Sequence, residues 1–185
     1  MINSGETDAI QMIAAFDHEE LGSASRSGAS GPLLADVVTR ISASLGATLD
    51  QRHRSLAESF CLSADTGHAI HPNYPGRHDP VNQPLLNSGP LLKINANQRY
   101  ATDGRGAALW RRICRKAGVP TQEFVTNNAM PCGSTIGPLT ATRLGIATVD
   151  VGIPTLSMHS ARELAGTDDP LALTRAMEGF LAGNN

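Results

Sequence analysis

The chain has 185 residues, of which 41% are hydrophobic and 17% charged, and its formal net charge is −2. A chain of this length holds one domain with a sizeable core, the balance of residue types is globular rather than disordered, and the lack of a basic excess argues against a nucleic-acid partner. Cys61, Cys114 and Cys132 are odd in number and form no CxxC pair, residues 1–8 show no basic stretch followed by an apolar run, and no segment approaches the ~18 apolar residues of a membrane span, so a soluble protein of a reducing cytoplasm is expected.

Residues 9–16 (AIQMIAAF) form a short apolar run that reads as a buried strand, closed by the polar cluster Asp17-His18-Glu19-Glu20. Over residues 32–45, Leu34, Val37, Val38, Ile41 and Leu45 recur at helical spacing before Gly46, which predicts an amphipathic helix. A second helix is expected over residues 50–60 and a short strand over 60–64. Residues 66–88, rich in His, Pro, Asn and Gly, read as a long irregular segment of the kind that carries function inside compact domains. A strand over residues 90–95 follows, then a helix capped by Asp103 and stopped by Gly118 and Pro120, then a strand over 123–126. Ser134 or Thr135 starts the next helix, with Gly137 and Pro138 in its first turn and its end near Gly145. Residues 146–151 (IATVDV) are a strong strand, and residues 155–158 a second short one ending at His159. Asp169 caps the last helix, whose apolar face is Leu173, Met177, Phe180 and Leu181. Strands alternating with helices predict an α/β fold with a mixed, mostly parallel sheet flanked by helices.

In such sheets a ligand site lies beyond the carboxyl ends of the strands. Three polar clusters sit at predicted strand ends: Glu19-Glu20, Asp65 and His159. Neighbouring carboxylates on an extended segment point to opposite sides, so one can bind a metal while the other takes a proton from water. Taken alone, the pair reads equally as a solvated loop. Asp65 opens the stretch DTGHAIHPNY, where His68 and His71 follow; the mix suits a metal, a substrate carboxylate or a capped turn. His159 is either a terminal zinc ligand or a packed surface imidazole. The stretch PCGSTIGP, residues 131–138, puts free backbone N–H groups where a helix begins, suited to an anion or to capping by Ser134 or Thr135. Arg105, Arg111, Arg112, Arg115 and Lys116 read as a solvated helix face, without the aromatic residues on which nucleic-acid bases stack.

Taken in order, FDHEELGS, SADTGHAIHPNY, KINANQRYATD, PCGSTIGP and SMHSARE resemble the signature of the aspartyl aminopeptidase family, over residues 9–181. The resemblance implies a dizinc aminopeptidase, with two Zn2+ per intact active site, that removes an N-terminal Asp or Glu from peptides by a metal-activated water. It implies that Glu19 is the catalytic general base, that Glu20 and His159 are ligands of one zinc, and that Asp65 is a ligand of the other. It further implies that His68, Lys93 and Tyr100 bind substrate, with His71 near the site, and that members assemble as homo-oligomers. Members carry a further His ligand, a bridging Asp and a dimerisation domain upstream of the Glu19-Glu20 segment, and residues 1–8 do not resemble that region. Asn128 stands where many members have Asp. Residues 1–185 are therefore expected to be the C-terminal part of a zinc aminopeptidase catalytic domain, a fragment with reduced or no activity alone and without the family's assembly. The alternative is a non-catalytic remnant that binds peptide or a partner subunit. Neither a nucleic acid nor a membrane is expected as a partner.

Overall fold

The computed structural model describes residues 9–183, so the expectations for residues 1–8 lie outside the described residues. One sheet contains β1 (Phe60–His68), β2 (Leu91–Ile94), β3 (Gln122–Val125), β4 (Ala147–Leu156) and the short β5 (Leu164–Ala165). The order is β1-β4-β2-β3, with β5 on β4. β1 runs parallel to β4 and β2 parallel to β3, whereas β4 meets β2 and β5 antiparallel. The mixed, mostly parallel α/β sheet expected from the alternation of elements is the one adopted.

The period of two along each strand sorts the faces of this sheet. Phe60, Leu62, Ala64, Leu92, Ile94, Val149 and Val151 point to one side, where α3 (Gly104–Ala117) and α5 (Asp169–Leu181) cover them with Trp110, Ile113 and Ala176. Burial of these apolar groups is the main stabilising contribution. The alternate residues point the other way, among them Asp65, Lys93 and Asp150. On that side lies a smaller cluster of Leu91, Tyr100 and Phe124, with Cys132 packed against it. Local signals set α3: the Asp103 carboxylate accepts the Gly106 N–H at 2.7 Å, and Gly118 closes the helix at φ 66.

Several elements differ from expectation. Residues 9–16 stay outside the sheet, and Ile10 and Ile13 are 65% and 66% exposed. Their apolar character states a tendency to be buried and does not choose a strand to pair with. α1 (Leu33–Ser44) falls as expected, while α2 (Leu49–Glu58) starts on a capping box between Thr48 and Gln51. β1 continues to His68, past the expected end at Ala64. The two strands expected over 146–158 are one. Pro154 falls between the β2 pairing, which ends at Gly152, and the β5 pairing, which starts at Thr155, so its missing N–H interrupts neither antiparallel ladder. α4 (Gly137–Leu144) has no side-chain cap, because the Thr135 hydroxyl donates to Asp150 instead, at 2.7 Å. Asp169 does not cap α5: its fully buried carboxylate accepts the N–H groups of Asn87 (2.7 Å) and Gly89 (3.0 Å), and Asp168 takes the cap position. Among the described residues no helix is long and apolar enough to cross a membrane.

Candidate active site

The floor of the site is the polar face of the sheet. Lys93 on β2 is buried to 1% exposure, with its Nζ donating to the Thr66 carbonyl and lying 3.5 Å from Asp65 Oδ2. Its stem passes over Gly152, where a Cβ would stand 3.1 Å from Lys93 Cε and 2.3 Å from the Asp65 carbonyl oxygen. Burial pushes the Lys93 ammonium below its usual range, and the carboxylates of Asp65 and Asp150 pull in the opposite sense. Asp65 is held from its other oxygen, which accepts the Thr66 N–H at 2.6 Å.

The acidic rim is a tight turn. Glu19 and Glu20 lie in a single 3-10 turn, Glu19–Leu21, entered through His18 at φ 62 and left through Gly22 at φ 89. This corrects the extended segment expected there: the two carboxylates diverge because the turn rotates one residue relative to the next. His18 is fixed by its Nδ1 contact to Ser25 Oγ at 2.8 Å. His159 follows β4 in a left-handed conformation, φ 65, with its backbone N–H donating to Glu163 Oε1 at 2.5 Å. That conformation turns the imidazole back so that Nε2 lies 2.8 Å from Glu20 Oε2. Both side chains are exposed, so their pairing by itself contributes about 0–1 kcal/mol. Burial, then the charges of Asp65 and Glu20, raise the Glu19 carboxyl above its usual range. Burial, then His159 and Lys93, lower His68.

All seven residues singled out from the sequence, Glu19, Glu20, Asp65, His68, Lys93, Tyr100 and His159, line one cavity of about 630 Å3. His71 joins them. The Tyr100 ring stands edge-on to Phe124 at 6.1 Å and 5.6 Å from Lys93 Nζ, and burial raises its phenol. Residue-by-residue reading missed Arg77 and His78 as wall residues, whereas Thr135 reads from the sequence only as a cap or part of an anion-binding helix start. The first two sit in the irregular segment already flagged as functional, with Arg77 stacked on Tyr74 at 5.5 Å and His78 bridged by backbone to Thr126. Asp150 went unseen because it stands inside the apolar run of β4.

The donors fit zinc in kind and fall short in number. Glu20 and His159 form a contacting carboxylate–imidazole pair, and Asp65 offers a carboxylate across the cavity. Among the described residues, however, no three His, Cys, Asp or Glu lie close enough together to hold a metal ion. A catalytic zinc ordinarily takes three protein ligands.

The chain belongs to a family of zinc metalloproteases, and solved structures of similar chains share this α/β fold. That family is aminopeptidase I (M18), whose profile matches residues 2–181. The chain is 57% identical over 172 residues to the probable M18 family aminopeptidase 2 of Streptomyces coelicolor, covering 93% of this chain and 40% of the relative. It thus spans about two fifths of the length of the curated relatives it matches. Among solved structures it is similar to a chain of the Ape4 and Nbr1 complex, with a TM-score of 0.88 and 44% identity over 92% of this chain and 32% of that one. It is also similar to the yeast mApe1 dodecamer, with a TM-score of 0.77 and 35% identity over 91% of this chain and 38% of that one.

Proposed function

We propose that residues 1–185 are the C-terminal part of a zinc aminopeptidase catalytic domain that releases N-terminal acidic residues from peptides. The observation that carries this reading is the convergence of Glu19, Glu20, Asp65 and His159 on one cavity, with Glu20 and His159 in contact. Glu20 and His159 would hold one zinc and Asp65 the other, each set being completed by donors from outside the described residues. Bound zinc supplies Lewis acidity toward the scissile carbonyl. Glu19 takes the proton of the attacking water on its carboxylate and hands it to the leaving amine; the burial and the neighbouring carboxylates of Asp65 and Glu20 that raise its proton affinity suit that task. His68 and Tyr100 orient the substrate from the walls. Lys93 puts a positive charge in the floor, and with Arg77 on the rim it favours an acidic N-terminal side chain. The shortfall in ligands supports reduced or no activity for this chain alone. Homo-oligomeric assembly in the family, though not of this chain alone, is supported by the dodecamer of mApe1, and a cytoplasmic location by three unpaired cysteines.

The test is zinc titration by calorimetry, paired with release of free Asp from Asp-amide. Wild type is expected to bind zinc more tightly than Glu20→Ala or His159→Ala, and any hydrolysis is expected to vanish in Glu19→Gln. Equal zinc affinity in all three chains refutes the ligand assignment. The lack of a three-donor group then favours the second reading, a non-catalytic remnant that binds peptide or a partner subunit.

A further inference from the structure

We propose that Asp150 is a positioning residue for this site: its buried carboxylate holds two walls of the cavity, the segment at Tyr100 and the turn at Thr135, in register with the sheet. The inference rests on the function proposed above only in taking those walls to be the substrate's.

Asp150 stands in the middle of β4 with no exposed surface. Its Oδ2 accepts the N–H of Ala101 at 2.6 Å, and its Oδ1 accepts the hydroxyl of Thr135 at 2.7 Å. Its backbone N–H donates to Thr102 Oγ1 at 3.0 Å. Tyr100, which Ala101 follows directly, and Thr135 both line the cavity, yet they belong to segments far apart in the chain. Gly137 closes over the carboxylate from the first turn of α4, leaving no space for even a methyl group. The anion anticipated at the start of this helix is therefore the protein's own Asp150, at the end where the helix dipole favours negative charge.

A fully buried carboxylate is a costly way to fill space. It offers what an apolar residue cannot, simultaneous acceptance of donors from two segments, and it does so with the strength of charge-assisted hydrogen bonds. Alanine at this position accepts from neither donor and so lets go of both walls, whereas an amide can still accept from Ala101 and donate to the Thr135 hydroxyl. Asp169 gives an internal comparison: it too is a fully buried carboxylate accepting two N–H groups, but it ties the turn at Asn87 and Gly89 to α5, and neither anchored residue lines the cavity.

The experiment is 19F NMR of the full chain labelled with 3-fluorotyrosine. The chain has two tyrosines, and Tyr74→Phe assigns the resonance of Tyr100. Asp150→Ala is expected to shift the Tyr100 resonance toward that of free 3-fluorotyrosine. Asp169→Asn is expected to lower the urea midpoint while leaving that resonance in place. The proposal is overturned if the resonance stays put in folded Asp150→Ala, or if it moves as far in Asp169→Asn. If Asp150→Ala does not fold, Thr135→Val and Thr135→Ser decide: the valine must move the resonance and the serine, which keeps the hydroxyl, must not; identical spectra overturn the proposal. Because the spectra need neither metal nor turnover, a chain that binds no zinc can still pass, and one that cleaves peptides can still fail.

Discussion

Gly137→Ala should destabilise the chain strongly, although alanine is the better helix former. An ideal Cβ at Gly137 would lie 2.2 and 2.3 Å from the two carboxylate oxygens of Asp150, more than 1 Å inside ordinary contact at 3.4 Å. Asp150 has no solvent to swing into, and two donors hold it. Overpacking of this kind costs about 1–3 kcal/mol. Loss of one hydrogen bond to the charged group adds about 1.5–3 kcal/mol. The gain in helix propensity returns about 1 kcal/mol. The net loss is about 1.5–5 kcal/mol, which at an m-value of about 2 kcal/mol/M lowers the urea midpoint by about 0.8–2.5 M. Gly104→Ala is the matched control: it is the first residue of α3, and its Cβ would meet nothing within 4 Å. That variant should be neutral or stabilised by up to about 1 kcal/mol. Urea unfolding followed by circular dichroism measures both. Equal midpoints for the two variants would refute the argument, because they would mean that the carboxylate yields its place at no cost.

What could be read from the sequence was what the sequence encodes locally. The ends of α3 were legible because Asp103 and Gly118 act within one turn of themselves. The strands over 60–64 and 90–95 were legible as apolar runs, but the placing of Lys93 and Asp65 on the polar side of the sheet needed the strand bounds and pairing that the structure supplies. Pairing was not legible: that β2 runs antiparallel to β4 between two parallel pairs is decided by contacts remote in the chain. The same limit explains residues 9–16, where an apolar run met no strand of this sheet. The site was legible in its residue types and, through the family resemblance, in its membership. Its shape was not, because it depends on left-handed backbone at His18 and His159, neither of which is glycine, and only tertiary contacts such as those to Ser25, Glu163 and Glu20 hold them there. Asp150 was invisible for a related reason: a charged residue inside a strong strand pattern reads as an exception until its two donors, drawn from elsewhere in the chain, are seen.

Three further outcomes are expected. Glu19→Gln should be at least as stable as wild type to urea at pH 7, since removing a charge from beside Asp65 and Glu20 relieves the crowding that raises its proton affinity; a clear drop in midpoint would contradict the electrostatics of the rim. Asp169→Asn should lose about 1–3 kcal/mol and be cut faster by trypsin after Arg77, as the turn at Asn87 and Gly89 loses an anchor; unchanged cleavage would mean that the segment is held by other contacts. The third concerns alkaline pH. Burial pushes the Cys61 thiol from 9.0 up to about 11 and the Cys114 thiol up to about 12. At pH 8 a two-unit rise leaves Cys61 about 100-fold less thiolate than a free cysteine, so it should react correspondingly slowly with a disulfide reagent. The same shifts fix the sign of the stability change. The folded chain keeps these protons while the unfolded chain releases them above about pH 9, so the unfolded state binds fewer protons and stability falls as pH rises from 9 toward 11. Tyr100, also raised, adds to the fall only above its ordinary value of 10.0. Between pH 9 and 10 Lys93, whose ammonium burial holds below its ordinary value of 10.5, tilts stability the opposite way, so the thiol contribution is read as a difference: Cys114→Ala should lose less stability than wild type over this interval, whatever its effect on absolute stability. Urea midpoints that change equally with pH in wild type and the variant would show that the Cys114 thiol is not held neutral by the fold.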